Sequence, residues 1–455
     1  MNDKQPHHFR RTLTLLPVVI LGLAYMAPMT VFSTYGVVAQ TSLGLIPAAY
    51  IVALIAMLFT AYSYGKMVKA YPSAGSAYTY TQKSISPNLG FLVGWSVLMD
   101  YLFLPMINFL LAGIFLSAAF PIIPSWGWIL LFIVTVTAIN IFGIQLTVKV
   151  NGILVLFQLL VTILFIILAI KGITQGMGLG VLFSSLPFYN PDVSYSFVLA
   201  GASILCLSFL GFDAVTTLSE ETIEPRRTIP KAIFLIALIG GALFTFVSYI
   251  THLVYPDFRS FEVVDSAAFE IAEAIGGALF GSIFLAGMIT STLASGLSSH
   301  ASTARLLFAM GRESVLPQKI FGYIHPKYKT PSNNIILIGL FSLSALAIDL
   351  VTAASFINFG ALVAFTFVNI SVIFHYYIHK KQRHLKGLFL YVFLPAIGAC
   401  FTLWLWTNLD KHSLILGCIW ILVGWVYLMF LTKMFTKKPP QFHFEEEPSD
   451  ITISG

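Results

Sequence analysis

Long apolar runs separated by short polar breaks fill the chain from Thr12 to Thr432. A helix needs about 20 mostly apolar residues to cross the hydrocarbon of a bilayer. Only helices and closed barrels satisfy their backbone there, and barrel strands are short and alternating. These runs are continuous, so the pattern predicts an all-α integral membrane protein. Twelve transmembrane helices are expected: Thr12–Val38, Pro47–Val68, Asn88–Phe120, Trp126–Phe142, Val150–Ile170, Ser196–Ser219, Ile229–Val254, Ala274–Ser299, Asn333–Ile348, Ala353–Tyr377, Gly387–Trp406 and Ser413–Thr432. The first run lacks a small-residue cleavage site and reads as a span rather than a removed leader. The acidic, Pro-containing segment Gln441–Gly455 reads as disordered.

Composition agrees: 58% of residues are apolar and 10% charged, against about 25% charged in soluble domains. The formal charge of +6 would suit an anionic partner, but its distribution has a simpler cause. With the N-terminus inside, 22 of the 25 Lys and Arg fall in inner segments, and only Lys171, Arg259 and Lys411 fall outside. Basic residues favour cytoplasmic loops. Both termini are therefore expected in the cytoplasm, and no nucleic acid is needed to explain the charge. Cys206, Cys400 and Cys418 fit no metal or disulfide spacing and read as packing residues. No metal or cofactor is expected.

Helix breakers and buried charges point to a site. The first span holds Gly22-Leu23-Ala24-Tyr25-Met26-Ala27-Pro28 near its middle, and Pro28 forces a kink or unwinding. The sixth holds Ser208-Phe209-Leu210-Gly211-Phe212-Asp213. Gly and Pro also serve plain helix packing in membranes. Breaks at matching places, five spans apart, mark the binding sites of inverted-repeat transporters. Two acids sit well inside spans, Asp100 and Asp213, where an ionised Asp costs about 2.5–3.5 kcal/mol. No Lys or Arg lies deep in a span. The partners left are a proton, hydrogen-bond donors or a cationic substrate; a protonated Asp tying two helices together is the structural alternative. At 1.5 Å per residue Asp213 lies about 10 Å from the inner end of its span and Asp100 about 18 Å, an offset of about 8 Å. That offset suits a short diamine, or one substrate acid and one proton carrier. Tyr25, Trp95, Tyr101, Phe209 and Phe212 lie near these acids in sequence, and aromatic faces attract ammonium groups. At the inner mouth, Glu220, Glu221, Arg226 and Arg227 are candidates for a cytoplasmic gate, or simply a solvated loop.

At these residues the chain resembles the amino acid–polyamine–organocation permeases, and within them the bacterial putrescine importers. The resemblance runs through Ser208–Thr222 and Pro225–Ile233, through Ala304–Glu313 with Leu316-Pro317, and through Gly22–Tyr25, Pro28–Phe32, Ala74–Tyr80 and Ile357–Asn369. It covers nearly the whole chain. It implies a LeuT-like 5+5 inverted repeat plus two extra helices: a cytoplasmic segment 1–11, repeats 12–170 and 196–377, helices eleven and twelve in 387–432, and a cytoplasmic tail 433–455. It also implies that a substrate ammonium binds at the unwound parts of spans one and six, with Asp213 pairing with it and Tyr101 recognising a polyamine. Two departures stand out. Where some relatives place a proton-carrying lysine in the fifth span this chain has Gln158, and where putrescine importers place an acid after the first break it has Ser33. Asp100 or Asp213 is then the expected proton carrier, because a carboxyl group stripped of water and counter-charge favours its protonated form.

The expected function is import of putrescine or a similar small cationic amine across the inner membrane, driven by the proton motive force. The substrate-binding candidates are Asp213, Tyr101, Tyr25, Gly22, Pro28, Gly211, Phe212 and Phe209. An amino-acid permease or exchanger of the same fold is the alternative. An enzyme is disfavoured because no metal cluster, nucleophile motif or phosphate loop is present, and the paired breaks serve no purpose in a scaffold.

Overall fold

The computed structural model describes residues 13–72, 77–142, 147–220, 222–312, 315–328, 330–437 and 439. The expectations resting on Arg10, Arg11, Ala74, Gly75, Ser76, Glu221, Glu313 and the acidic tail lie outside the described residues. Among those residues every element is helical, apart from one isolated bridge between Leu13 and Thr222.

In chain order the helices are α1 (Leu15–Tyr25), α2 (Thr30–Ser33), α3 (Tyr35–Thr41), α4 (Ile46–Ala70), α5 (Ala77–Ser84), α6 (Pro87–Ala119), α7 (Ser125–Phe142) and α8 (Thr147–Thr174). There follow α9 (Tyr195–Leu205), α10 (Pro225–Val254), α11 (Ala267–Arg312), α12 (Gln318–Phe321), α13 (Ser332–Phe341) and α14 (Leu350–Val372). The last are α15 (Leu385–Leu388), α16 (Leu394–Thr407) and α17 (Lys411–Leu431). Among the described residues, ten helical stretches are long and apolar enough to cross a membrane. At the two other places where a span is expected lie the short helices α1, α2 and α3 and the shorter apolar stretch Ser332–Leu346.

Exposure follows the apolar pattern in a way that water would not tolerate. On α8 the exposed Ile153, Leu156, Leu160, Ile163 and Ile167 recur at three- and four-residue spacing, one face of a helix presented to lipid. The other face is packed: Phe165 meets Phe32 and Phe284 at 4.6 and 5.8 Å between ring centres. The stretch Leu350–His379, which includes α14, is central, with 78% of its most apolar window buried; α17 is peripheral, with 17%.

Two expectations are corrected by the packing. Cys206 is buried, but Cys400 and Cys418 are exposed, so only the first is a packing residue. Trp95 does not join the aromatic residues around the acids. It stacks on Trp420 of α17 at 5.0 Å, and each indole N–H donates to the other residue's carbonyl, at 2.9 and 2.8 Å. A tryptophan that has an N–H to satisfy in an apolar layer is held by the partner that accepts it.

Candidate functional site

Both predicted breaks are present. α1 ends at Tyr25, Ala27 turns left-handed at φ 51°, and helical structure resumes at Thr30. The Thr30 hydroxyl donates to the Met26 carbonyl at 3.0 Å, taking an acceptor that the break leaves free. In the sixth span α9 tightens into a 3-10 turn over Cys206–Phe209, Leu210 is extended, and Gly211 has φ +104°. A second 3-10 segment then runs over Ala214–Glu220. Gly211 is required twice over. Its φ lies in the region that L side chains avoid, and a Cβ there would collide with the Tyr25 ring. The glycine of one break is thus the seat of the tyrosine at the other.

Asp213 is placed at the end of this turn. The Tyr64 hydroxyl of α4 donates to its Oδ2 at 3.0 Å, and the backbone N–H groups of Gly211 and Asp213 face the same carboxyl. Tyr64 is itself fixed by edge-on contacts with Phe212, Phe365 and Tyr80, at 5.9, 6.1 and 6.1 Å. Across the break, the Tyr25 hydroxyl faces Ser302 of α11 and lies within electrostatic reach of both Asp100 and Asp213. Tyr101 lies within reach of Tyr25, Asp100 and Asp213. The site therefore draws on seven elements: the first break, α4, α5, α6, the sixth-span break, α11 and α14.

These groups are not sealed into the core. Tyr25 keeps 43% of its surface accessible although its ring is seated on Gly211 and its hydroxyl faces another span. Asp100, Tyr101, Asp213 and Ser302 are each partly accessible as well. Asp100 has one oxygen, Oδ1, that is buried with no hydrogen-bond partner. Among the described residues no Lys or Arg forms an ion pair with either acid. Asp213 is met instead by the neutral donors of Tyr64 and the backbone.

Pro105 adds a further constraint. It lies inside α6 and has no N–H for the carbonyl four residues back, that of Tyr101. Thr303 of α11 takes that acceptor with a hydroxyl hydrogen bond at 2.6 Å. The two neighbours Ser302 and Thr303 therefore tie α11 to Tyr25 and to the Tyr101 backbone.

The remaining candidates fall elsewhere. Phe209 is fully buried against Phe244 of α10, at 6.1 Å edge-on, and Phe212 is fully buried between Tyr64 and Phe365. Both form the wall behind the break rather than its lining. Gly22 faces Ile236 of α10 and Val215, where a side chain would collide, so it sets the approach of α1 to α10. Pro28 lies in the unwound stretch itself. Ser33 is buried in α2, and Gln158 is buried on α8 with its Oε1 unpartnered. Of the gate candidates, Arg227 pairs with Glu224 of its own turn at 3.4 Å, and Arg226 is exposed. Glu220 ends the 3-10 segment, and Glu221 lies outside the described residues. Instead, the Ile223 N–H donates to the Leu13 carbonyl at 2.9 Å and joins the start of span one to the loop after span six.

Sequence reasoning missed Tyr64 and Ser302. A signal for Tyr64 was present: it stands six residues before the end of α4, and Asp213 stands seven before Glu220, so both lie about 10 Å from the same side. Ser302 carries no comparable mark, because α11 contains several serines.

Comparison with known proteins matches this arrangement to a family. Residues 18–439 match the family model described as amino acid permease. The chain is 48% identical over 434 residues to the low-affinity putrescine importer PlaP of Escherichia coli (strain K12), covering 95% of this chain and 96% of that protein. It is 28% identical to the methylthioribose transporter of Bacillus subtilis (strain 168), over 93% of this chain and 94% of the relative. It is 27% identical to the branched-chain amino acid permease BcaP of the same organism, over 94% of each. A multi-pass helical chain matched almost end to end by these permeases, none of them enzymes, belongs to the amino acid permease family of the amino acid–polyamine–organocation permeases.

Proposed function

We propose that this chain imports putrescine, or a similar small cationic amine, across the cytoplasmic membrane. The observation that carries the proposal is Asp213. It is held by Tyr64 at a glycine-broken helix, lies within electrostatic reach of Tyr25, Asp100 and Tyr101, and has no Lys or Arg paired with it among the described residues. The relative at 48% identity is named for putrescine, which favours an amine over a neutral amino acid.

In this reading Asp213 receives one ammonium group, and Tyr25 and Tyr101 offer ring faces and hydroxyl oxygens to the chain behind it. Asp100 takes the second ammonium or a proton; its unpartnered Oδ1 suits either. A dication entering a negative interior gains about 2.3 kcal/mol per charge per 100 mV, so the membrane potential drives accumulation and protons are a candidate coupling ion. The twelve spans form two inverted repeats of five, with α16 and α17 outside them. The two breaks five spans apart support this arrangement. So do the short helices before the third span of each half: α5 in one, and in the other the stretch from Ala267 to Gly277, where the φ of 67° ends it. Both termini lie in the cytoplasm. Access alternates by rocking the span-one and span-six pair, joined at Leu13 and Ile223, against the rest.

The test is uptake of labelled putrescine by cells lacking other polyamine importers. Saturable uptake by the normal chain, lost in Asp213→Asn at equal membrane abundance, supports the proposal. No uptake above background by the normal chain refutes the putrescine assignment. Competition by branched-chain amino acids rather than diamines moves the substrate to the class named for BcaP.

A further inference from the structure

A cavity of about 720 Å³ opens between α4 and α10 at the end where α4 finishes and α10 begins. Its mouth is basic: Lys66 and Lys69 come from α4, and Arg227 and Lys231 from α10. Only Arg227 has a carboxylate beside it, Glu224; no ion pair of Lys66, Lys69 or Lys231 is present among the described residues. The Lys66 ammonium instead lies over the rings of Tyr62 and Tyr391, at 5.0 and 5.1 Å. The N-terminus of the 30-residue α10 adds the positive end of a helix dipole. A polyamine is repelled from such a mouth, so this cavity is not part of the substrate route to Asp213.

Below the mouth the same two helix faces turn apolar. On α4 the accessible residues recur as Ile51, Ile55, Leu58, Tyr62, Lys66 and Lys69, at three- and four-residue spacing. On α10 they recur as Arg227, Lys231, Phe234 and Leu238, at the same spacing. The helices meet closely at the base of the groove, where a Cβ on Gly65 would lie 3.1 Å from Pro230 Cβ. From Lys66 to Ile51 the accessible face of α4 runs about 22 Å, more than half of a hydrocarbon thickness of roughly 30 Å; the cavity itself is lined down to Ala61 and Leu235.

We infer that this groove between α4 and α10 binds an anionic phospholipid, with its phosphate headgroup among Lys66, Lys69, Arg227 and Lys231 and an acyl chain along Ile51, Ile55, Phe234 and Leu238. The basic mouth accounts for the anion. The continuous apolar faces beneath it account for a lipid rather than a free phosphate. Snorkelled Lys side chains suit a headgroup at the membrane surface.

Native mass spectrometry of the full chain, released from discs of mixed phosphatidylglycerol and phosphatidylcholine, tests the inference. Retention of phosphatidylglycerol over phosphatidylcholine by about tenfold is expected, with that preference lost in Lys69→Gln/Lys231→Gln. The charge-preserving Lys69→Arg/Lys231→Arg, a check on folding, retains it. Equal retention of the two lipids, an unchanged preference in the Gln double variant, or displacement of the bound lipid by millimolar inorganic phosphate overturns the inference. The readout is lipid retention, so it is independent of whether putrescine is the substrate.

Discussion

At the residue scale, one hydroxyl holds the acid on which the proposed function rests. Tyr64 donates to Asp213 at 3.0 Å from a ring wedged among three other aromatic residues, so the donor cannot swing away. A hydrogen bond to a charged group is worth about 1.5–3 kcal/mol. In Tyr64→Phe the ring packing survives and the donor is lost. The half-saturation concentration for putrescine uptake is expected to rise about tenfold or more at unchanged membrane abundance. An unchanged value would mean that Asp213 is oriented by the Gly211 and Asp213 backbone alone. Asp100 and Asp213 were legible in the sequence because charges inside apolar runs stand out. Tyr64 carried only a matching depth, which does not single out one of the 19 tyrosines; tertiary contact does.

At the scale of elements, the two broken helices are mutually dependent. Gly211 leaves the space that the Tyr25 ring fills, and Tyr25 in turn carries the contact to Ser302. Gly211→Ala places a side chain at φ +104° and against that ring. Strain of this kind costs about 1–3 kcal/mol. Purified Gly211→Ala is expected to unfold at a lower temperature than the normal protein and to lose uptake, because Tyr25 is displaced. Normal uptake in this variant would show that the Tyr25 ring does not contribute to the site. The sequence predicted both breaks from Pro28 and Gly211. It did not predict that one break packs on the other, because that contact joins residues 186 positions apart. It also grouped Trp95 with the site, whereas the indole is committed to Trp420 of α17, an element whose position no local pattern reveals.

At the scale of the whole molecule, Tyr25, Asp100, Asp213 and Ser302 come from four different spans and each keeps accessible surface, which fits one shared space between those spans. If that space is the substrate's, a thiol placed in it should be reached from water and shielded by substrate. In a background with Cys206, Cys400 and Cys418 replaced, Ser302→Cys is expected to react with a small cationic methanethiosulfonate reagent. Putrescine is expected to slow that reaction. Labelling that is indifferent to putrescine would place the bound amine away from α11. The lipid groove between α4 and α10 belongs to the same scale, since neither helix forms it alone.

The sequence by itself determined that the chain is helical and crosses a membrane many times. Apolar runs of this length have no other way to satisfy their backbone in hydrocarbon. It also determined where two spans break and which acids lie deep, because proline, glycine and charge act locally and each is costly in a membrane helix. The tertiary structure alone decided which faces meet: that Tyr64 meets Asp213 and Ser302 meets Tyr25, that Phe209, Phe212 and Gly22 are packed behind the breaks, and that Cys400 and Cys418 face outward. The physical reason is that in a chain apolar on nearly every side, helical periodicity cannot separate a buried face from a lipid-facing one; only the neighbouring helices do so.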